Sequence, residues 1–151
     1  MPATVELTAT STKTAQEDRG GAVRQDIRKV VVLGAGTMGA QVAAHLVLAE
    51  IDVVLLDIVP KGLGEGDDRS VLARKAVAGL KKLTPSPLHL REHMDAIRPG
   101  NFEDDWDQLR DADWVFEAVI EDLDIKKELF SRVAEAAPSH AIVTSNTSGL
   151  G

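Results

Sequence analysis

The chain has 151 residues, 44% hydrophobic and 27% charged, with no cysteine, a net charge of -7 and a pI near 5.0. That length holds one domain with its own core. The acidic balance excludes broad nucleic-acid binding, which needs a basic face to displace counterions, and the lack of cysteine excludes disulfides, thiolate catalysis and cysteine-based zinc sites.

Residues 1–26 are rich in Thr, Ala, Ser and Gln, and their few apolar residues follow no period. They read as a disordered leader ahead of a single domain over 27–151. They lack the apolar stretch of a secretory signal, and Glu6, Glu17 and Asp18 do not suit an acid-poor transit peptide. No apolar run reaches the roughly 20 residues that cross a bilayer. No membrane partner is expected, and the expected location is cytoplasmic.

Order begins at Ile27. Lys29, Val30, Val31, Val32 and Leu33 form a β-branched apolar run closed by Gly34, which predicts a buried strand. Over 38–50 the spacing becomes helical, with Met38, Val42 and Leu46 on one face beside Ala43 and Val47. The run 51–56 ends at Asp57 and predicts a second strand, so a βαβ unit closes between Lys29 and Asp57. A Gly-rich polar stretch over 61–68 precedes a helix over 69–83, with Leu72, Ala76, Leu80 and Leu83 on one face. Pro85 and Pro87 stop it.

A short helix is expected over 89–96. Pro99 and Gly100 restrict any strand over 97–102 to a short one near an edge. The run 114–119 predicts a strand. The run 123–137 predicts a helix facing the core through Leu129, Phe130, Val133, Ala134 and Ala137, and Pro138 ends it. The last strand is expected over 141–144. Aromatic residues are limited to Phe102, Trp106, Trp114, Phe116 and Phe130, so the core is aliphatic, as buried parallel sheets are. Strands alternating with helices predict an α/β fold, a Rossmann-type doubly wound parallel sheet covered on both faces.

Gly34-Ala35-Gly36-Thr37-Met38-Gly39 fits the pattern G-x-G-x-x-G between a predicted strand and a predicted helix. Gly34 permits the tight turn, Gly36 lets backbone approach a pyrophosphate, and Gly39 lets the helix pack closely. The helix N-terminus then offers N–H groups and partial positive charge to that pyrophosphate. Asp57, at the end of the second strand, is positioned to accept hydrogen bonds from the adenosine ribose and to repel a 2′-phosphate. Ile58, Val59 and Pro60 follow it with no arginine, so the expected cofactor is NAD rather than NADP.

The run Asp113-Trp114-Val115-Phe116-Glu117-Ala118-Val119-Ile120-Glu121-Asp122-Leu123-Asp124-Ile125-Lys126 resembles the DxVxEAVxExLxxK run of 3-hydroxyacyl-CoA dehydrogenases. Ser145-Asn146-Thr147-Ser148-Gly149-Leu150 resembles their SNTSSL, with Gly149 where a second serine is usual. The resemblance covers nearly everything from Ile27 to Gly151. Residues 85–88 and 97–105 look like the longer bacterial members, which also carry an enoyl-CoA hydratase-like domain.

The resemblance implies oxidation of an L-3-hydroxyacyl-CoA by NAD to the 3-ketoacyl-CoA and NADH, a step of fatty-acid β-oxidation, with acyl-CoA as the substrate partner. It places Ala118 and Glu121 at the cofactor, Glu121 beside the nicotinamide ribose, Lys126 in contact with the cofactor, and Ser148 near the reacting 3-oxygen and the nicotinamide. From residue type alone, Lys126 reads as a solvated helix lysine, Glu121 as a helix-terminus acid, and Asn146 and Thr147 as turn formers.

The family's general base is a histidine roughly twenty residues beyond the serine matched by Ser148, within reach of the hydroxyl proton it takes. The histidines here are His45, His89, His93 and His140, all upstream. His89 and His93 share a helical face but have no third ligand at recognisable spacing, so no metal is expected. The expectation is an NAD-binding portion without the family's helical C-terminal domain, incomplete at the C-terminal side of its sheet and inactive alone. An exposed sheet edge would favour association or a homo-oligomer.

Arg74, Lys75, Lys81 and Lys82 fall in a region near the CoA phosphates in the family but read equally as a solvated face. The rival reading is a non-catalytic NAD-binding module acting through a partner. Another nicotinamide or flavin enzyme would explain Gly34 to Asp57, but not the run from Glu117 to Ser148.

Overall fold

The computed structural model describes residues 3–4, 26–83, 92–119 and 122–146. Strands β3 (Lys29–Leu33), β4 (Asp52–Asp57), β5 (Arg98–Asn101), β6 (Trp114–Glu117) and β7 (Ile142–Ser145) form one parallel sheet in the order β5-β4-β3-β6-β7. The helices are α1 (Thr37–Leu48), α2 (Val71–Leu83) and α3 (Leu123–Ala136). The chain runs outward from central β3 to one side through β4 and β5, then returns to its other side through β6 and β7. This is the Rossmann arrangement that the alternating pattern predicts, and ligands bind where the order reverses.

The apolar run of β3 is continuous because both its faces are covered. Val30 and Val32 point to a cluster with Ala40, Ala43, Leu46 and Val47 of α1 and Ala73, Val77 and Leu80 of α2. Val31 and Leu33 point to the opposite cluster, with Leu129 and Val133 of α3 and Leu109. All four strand side chains are fully buried, each contributing roughly 1.5–3 kcal/mol in transfer from water.

One helix face turns by one residue from the expected row. On α1, Ala43, Leu46 and Val47 are buried as expected and Met38 is exposed; on α2, Leu72 is exposed whereas Ala73 is fully buried. Neighbouring rows of a helix share the same period, and packing against the sheet selects between them. On α3, Leu129 and Val133 are buried as expected, but Ala134 is exposed and Lys126 joins the buried face.

The outermost position of β5 agrees with Pro99 and Gly100 in its sequence. A 3₁₀ helix over Trp106–Asp111 was not expected; its six residues are too short to show a period. Short strands β1 (Ala3–Thr4) and β2 (Asp26–Ile27) pair antiparallel, also unexpected. Most of the leader lies outside the described residues, as do residues 89–91 of the helix expected over 89–96; residues 92–94 of it are helical. Among the described residues, no helix is long and apolar enough to cross a membrane.

The amino-terminal end of the sheet is fastened by charge. Asp113 Oδ2 accepts the backbone N–H groups of Arg28 (2.9 Å) and Lys29 (3.0 Å). The nearly buried Lys29 Nζ donates to Asp111 Oδ1 (2.5 Å) and to Gln108 Oε1 (3.0 Å), tying β3 to the 3₁₀ helix. The hydrogen bond from Lys29 holds the Asp111 carboxyl below its ordinary value of 3.8.

A lowered carboxyl contributes stability above its unfolded value and loses it as pH falls through its folded value. Asp111 is largely exposed, so this is on the order of 1 kcal/mol or less. Asp111→Asn is expected to lower Tm at pH 7 by about 2–4 °C, and the gap to wild type should close as pH falls below the ordinary value of 3.8 and on through the lowered folded value, where wild type protonates. Melting curves at pH 7 and down through that range check this; an equal gap throughout would contradict it.

Candidate functional site

The sheet presents its carboxyl ends where β3 and β6 lie side by side, and there the chain leaves in opposite directions, to α1 on one face and α3 on the other. The turn after β3 is pinned between its neighbours. Gly34 N donates to Leu56 O (2.7 Å), and Ala118 N donates to Leu33 O (2.7 Å). Gly34 has φ +108°, and a Cβ there would lie 2.6 Å from Ala118 O. A side chain is excluded twice, by conformation and by the crossing strand. At Gly39 a Cβ would lie 1.8 Å from Gly34 O, so α1 starts in contact with its own turn.

Gly36 differs. Its φ of -73° is open to any residue, and among the described residues a Cβ would meet no atom within 4 Å. Nothing in the fold therefore demands glycine here; the open space lies in front of the backbone. Gly36 is the N-cap of α1 without a side-chain cap bond, and no acidic residue occupies the first turn. Gly36, Thr37 and Met38 are exposed. The N–H end of α1 thus faces a place where an anionic oxygen fits without a Cβ to displace it.

Asp57 closes one side of this place. Its Oδ2 accepts from Ala35 N (2.7 Å) and its Oδ1 from Ile58 N (2.6 Å). The half-buried carboxylate thereby braces the glycine turn. With roughly four lone-pair sites, a carboxylate so engaged retains acceptor capacity for further donors. Beyond it opens a cleft of about 410 Å³ that Gly34, Gly36, Asp57, Ile58, Phe102, Ala118, Val119, Ile125, Glu128, Leu129 and Arg132 line. That lies within the roughly 300–1,000 Å³ typical of cofactor and small-molecule sites. Ile58 and Ile125 expose about half of their surface on its walls, which suits a flat apolar ring. Arg132 is turned to other work: its guanidinium lies 4.2 Å from the Trp106 ring centroid and donates to Phe102 O (3.2 Å).

Behind the cleft lies a second, buried cluster. Glu117 is fully buried and Lys126 is 4% exposed, with Lys126 Nζ 3.2 Å from Glu117 Oε1. The same oxygen accepts from Ser145 Oγ (2.5 Å), while Oε2 accepts from Val119 N (2.6 Å). Asp122 starts α3 as an N-cap whose side chain accepts from Asp124 N and Ile125 N.

Of the residues expected at the site, Gly34, Gly36, Asp57 and Ala118 line one cleft, and Ala35, Thr37, Met38 and Gly39 complete its turn. Lys126 is buried against Glu117, which overturns the reading of a solvated helix lysine and sets it behind the cleft wall. Glu121 and Ser148 lie outside the described residues. The sequence reading passed over Glu117 and Ser145. Their signal was an acidic residue inside an otherwise apolar run, and a lysine three and seven residues before Leu129 and Val133, on their helical face. His140 stands at the opposite end of the sheet, 3.2 Å from Asp113 Oδ1.

A profile of the protein family described as "3-hydroxyacyl-CoA dehydrogenase, NAD binding domain" matches residues 29–151. A probable 3-hydroxyacyl-CoA dehydrogenase of Bacillus subtilis is 42% identical over 139 residues, covering 85% of this chain and 18% of that protein. One of Deinococcus radiodurans is 44% identical over 124 residues, covering 82% and 35%. The crystal structure of 3-hydroxybutyryl-CoA dehydrogenase from Escherichia coli K12 superposes with a TM-score of 0.67 at 25% identity, covering 83% of this chain and 26% of that one. The chain thus spans between a fifth and about a third of the two curated relatives' length.

Gly36 separates fold from binding. Gly36→Ala is expected to keep Tm within about 2 °C of wild type, because the added Cβ meets no atom of the described residues within 4 Å, and to weaken NADH binding at least tenfold. Thermal melts and fluorescence titration on the same sample check this. Retained affinity would show that the space before Gly36 holds no cofactor.

Proposed function

We propose a function on one premise: this chain belongs to the family of 3-hydroxyacyl-CoA dehydrogenase NAD-binding domains. NAD is the cofactor of that family's domain, and the cleft suits it. The observation that carries the reading is the pairing of the open space before Gly36 with the Asp57 carboxylate on the wall of the same cleft.

In this reading the amino-terminal turn of α1 would hold the pyrophosphate, since the N–H groups and the dipole at a helix N-terminus favour an anion. Asp57 receives the adenosine ribose hydroxyls and disfavours a 2′-phosphate. Ile58 and Ile125 flank the adenine. Ala118 and Val119 would lead toward the nicotinamide end, where Glu121 and Ser148 are the residues proposed and Lys126, buried against Glu117, would support them from behind the cleft wall. NAD supplies the hydride acceptor.

The whole protein is proposed to oxidise an L-3-hydroxyacyl-CoA in fatty-acid β-oxidation. Bound NAD would accept the hydride from C3, a base would take the hydroxyl proton, and the products would be 3-ketoacyl-CoA and NADH. The chain's contribution is position and electrostatics. The proposed organisation is a leader over 1–26 and an NAD-binding domain over 27–151. The proposed location is the cytoplasm, and the outer edge of β7 is the proposed surface for association with another chain or segment. The names of the relatives are those of enzymes, which favours this reading over a cofactor-binding module without turnover.

Asp57→Asn tests the cofactor assignment. Asparagine keeps one oxygen to brace the turn and removes the charge. A hydrogen bond to a charged group is worth roughly 1.5–3 kcal/mol, so NADH affinity is expected to fall about tenfold or more, while the preference for NADH over NADPH narrows. Fluorescence titration with both cofactors reads the two effects. Unchanged affinity and preference would remove Asp57 from the site.

A further inference from the structure

We propose that Glu117 is a positioning residue for the cofactor site, fixing Lys126, the 118–119 segment and the exit of β7 as one unit. The inference rests on the reading that the adjoining cleft takes NAD.

Glu117 meets three separate stretches of chain. Its side chain accepts from Val119 N (2.6 Å) just beyond β6, from Lys126 in the first turns of α3 (3.2 Å), and from Ser145 at the end of β7 (2.5 Å). Its backbone oxygen accepts from Asn146 N (2.9 Å). Sheet register sets Glu117 directly beside Ser145, so these bonds follow from the pairing of β6 with β7.

Each stretch leads to the cofactor side. Ala118 and Val119 line the cleft, as does Ile125, the neighbour of Lys126. In sequence, Glu121 falls between the anchored Val119 and Lys126, and Ser148 is two residues past the anchored Asn146.

Stability alone is a weak reason for charge in this place. Removing two ions from water costs several kcal/mol each, and well-packed apolar residues often serve as well or better. The other residues of β6 facing the same cluster are apolar, Val115 being fully buried. At Glu117 the sheet instead keeps a buried carboxylate with its partners satisfied, beside the crevice where the strand order reverses. A carboxylate with fixed donors holds geometry that an apolar contact would leave loose.

The test is a double-mutant cycle on NADH affinity with Glu117→Gln, Lys126→Met and both together. Glutamine keeps the size of the side chain and an oxygen for Val119 N, and loses the charge that fixes Lys126. Glu117→Gln is expected to weaken NADH binding at least tenfold. The double variant is expected to bind no more weakly than Lys126→Met alone, since Glu117 acts through Lys126. It also removes both buried charges, so it folds where Lys126→Met fails. A lowered Tm with wild-type affinity in Glu117→Gln, or effects that multiply in the double variant, would overturn the inference.

A second readout is independent of NADH. Acetylation of Lys126, followed by peptide mass spectrometry with the exposed Lys127 as reference, is expected to run at least tenfold faster in Glu117→Gln, because a lysine without the Glu117 charge is held less firmly in the buried position and turns outward more often. Equal rates in the two proteins would overturn the inference. Wild-type protein that binds no NADH would instead count against the cofactor reading, and the labelling would still decide the role of Glu117.

Discussion

The close crossing of Gly34 and Ala118 is the constraint on which the site depends. Parallel strands β3 and β6 exchange no connection at their carboxyl ends; each sends its chain to a different face of the sheet. The two exits can share a hydrogen-bonded boundary, Ala118 N to Leu33 O, only if the turn carries no Cβ and adopts a positive φ. Once that is met, α1 begins in contact with its own turn, α3 begins across from it, and a crevice opens between them. Gly39 serves the same packing. Gly36 does not, and this difference between neighbouring glycines distinguishes what the fold requires from what a ligand requires.

Charge is distributed by the same geometry. At the amino-terminal end of the sheet, Lys29, Asp111 and Asp113 fasten β3 to the segment before β6. At the carboxyl end two carboxylates have separate surroundings. Asp57 is half-buried, braced by two backbone amides, and on the cleft wall. Glu117 is sealed beneath the floor with a lysine, a serine and an amide. The first can meet a ligand; the second can only hold what meets it.

The glycine turn, Asp57 and the strand–helix alternation were legible in the sequence because each leaves a local mark: a residue type forced by backbone conformation, or a period forced by burial. Boundaries agreed to within one or two residues for β3, β4, α2 and β7. The exact helix faces were less legible, since Leu72 and Ala73 lie on adjacent rows of one period and only packing selects between them. The 3₁₀ helix over Trp106–Asp111 is short and charged, with no period to read. The cluster around Glu117 was illegible for a different reason. Its partners are distant in sequence, and Ser145 becomes a neighbour only through the register of β6 with β7. Lys126 was read from its residue type as solvated, although its spacing to Leu129 and Val133 set it on the buried face.

The most direct test is to titrate the isotopically labelled chain with NAD and follow its backbone amide resonances. The account predicts saturable shifts centred on the amides of Ala35, Thr37, Ile58 and Val119, around the cleft over the glycine turn. Absence of saturable change, or shifts confined to the groove lined by Trp106, Asp107 and Arg110, would contradict the claim that this cleft holds the cofactor.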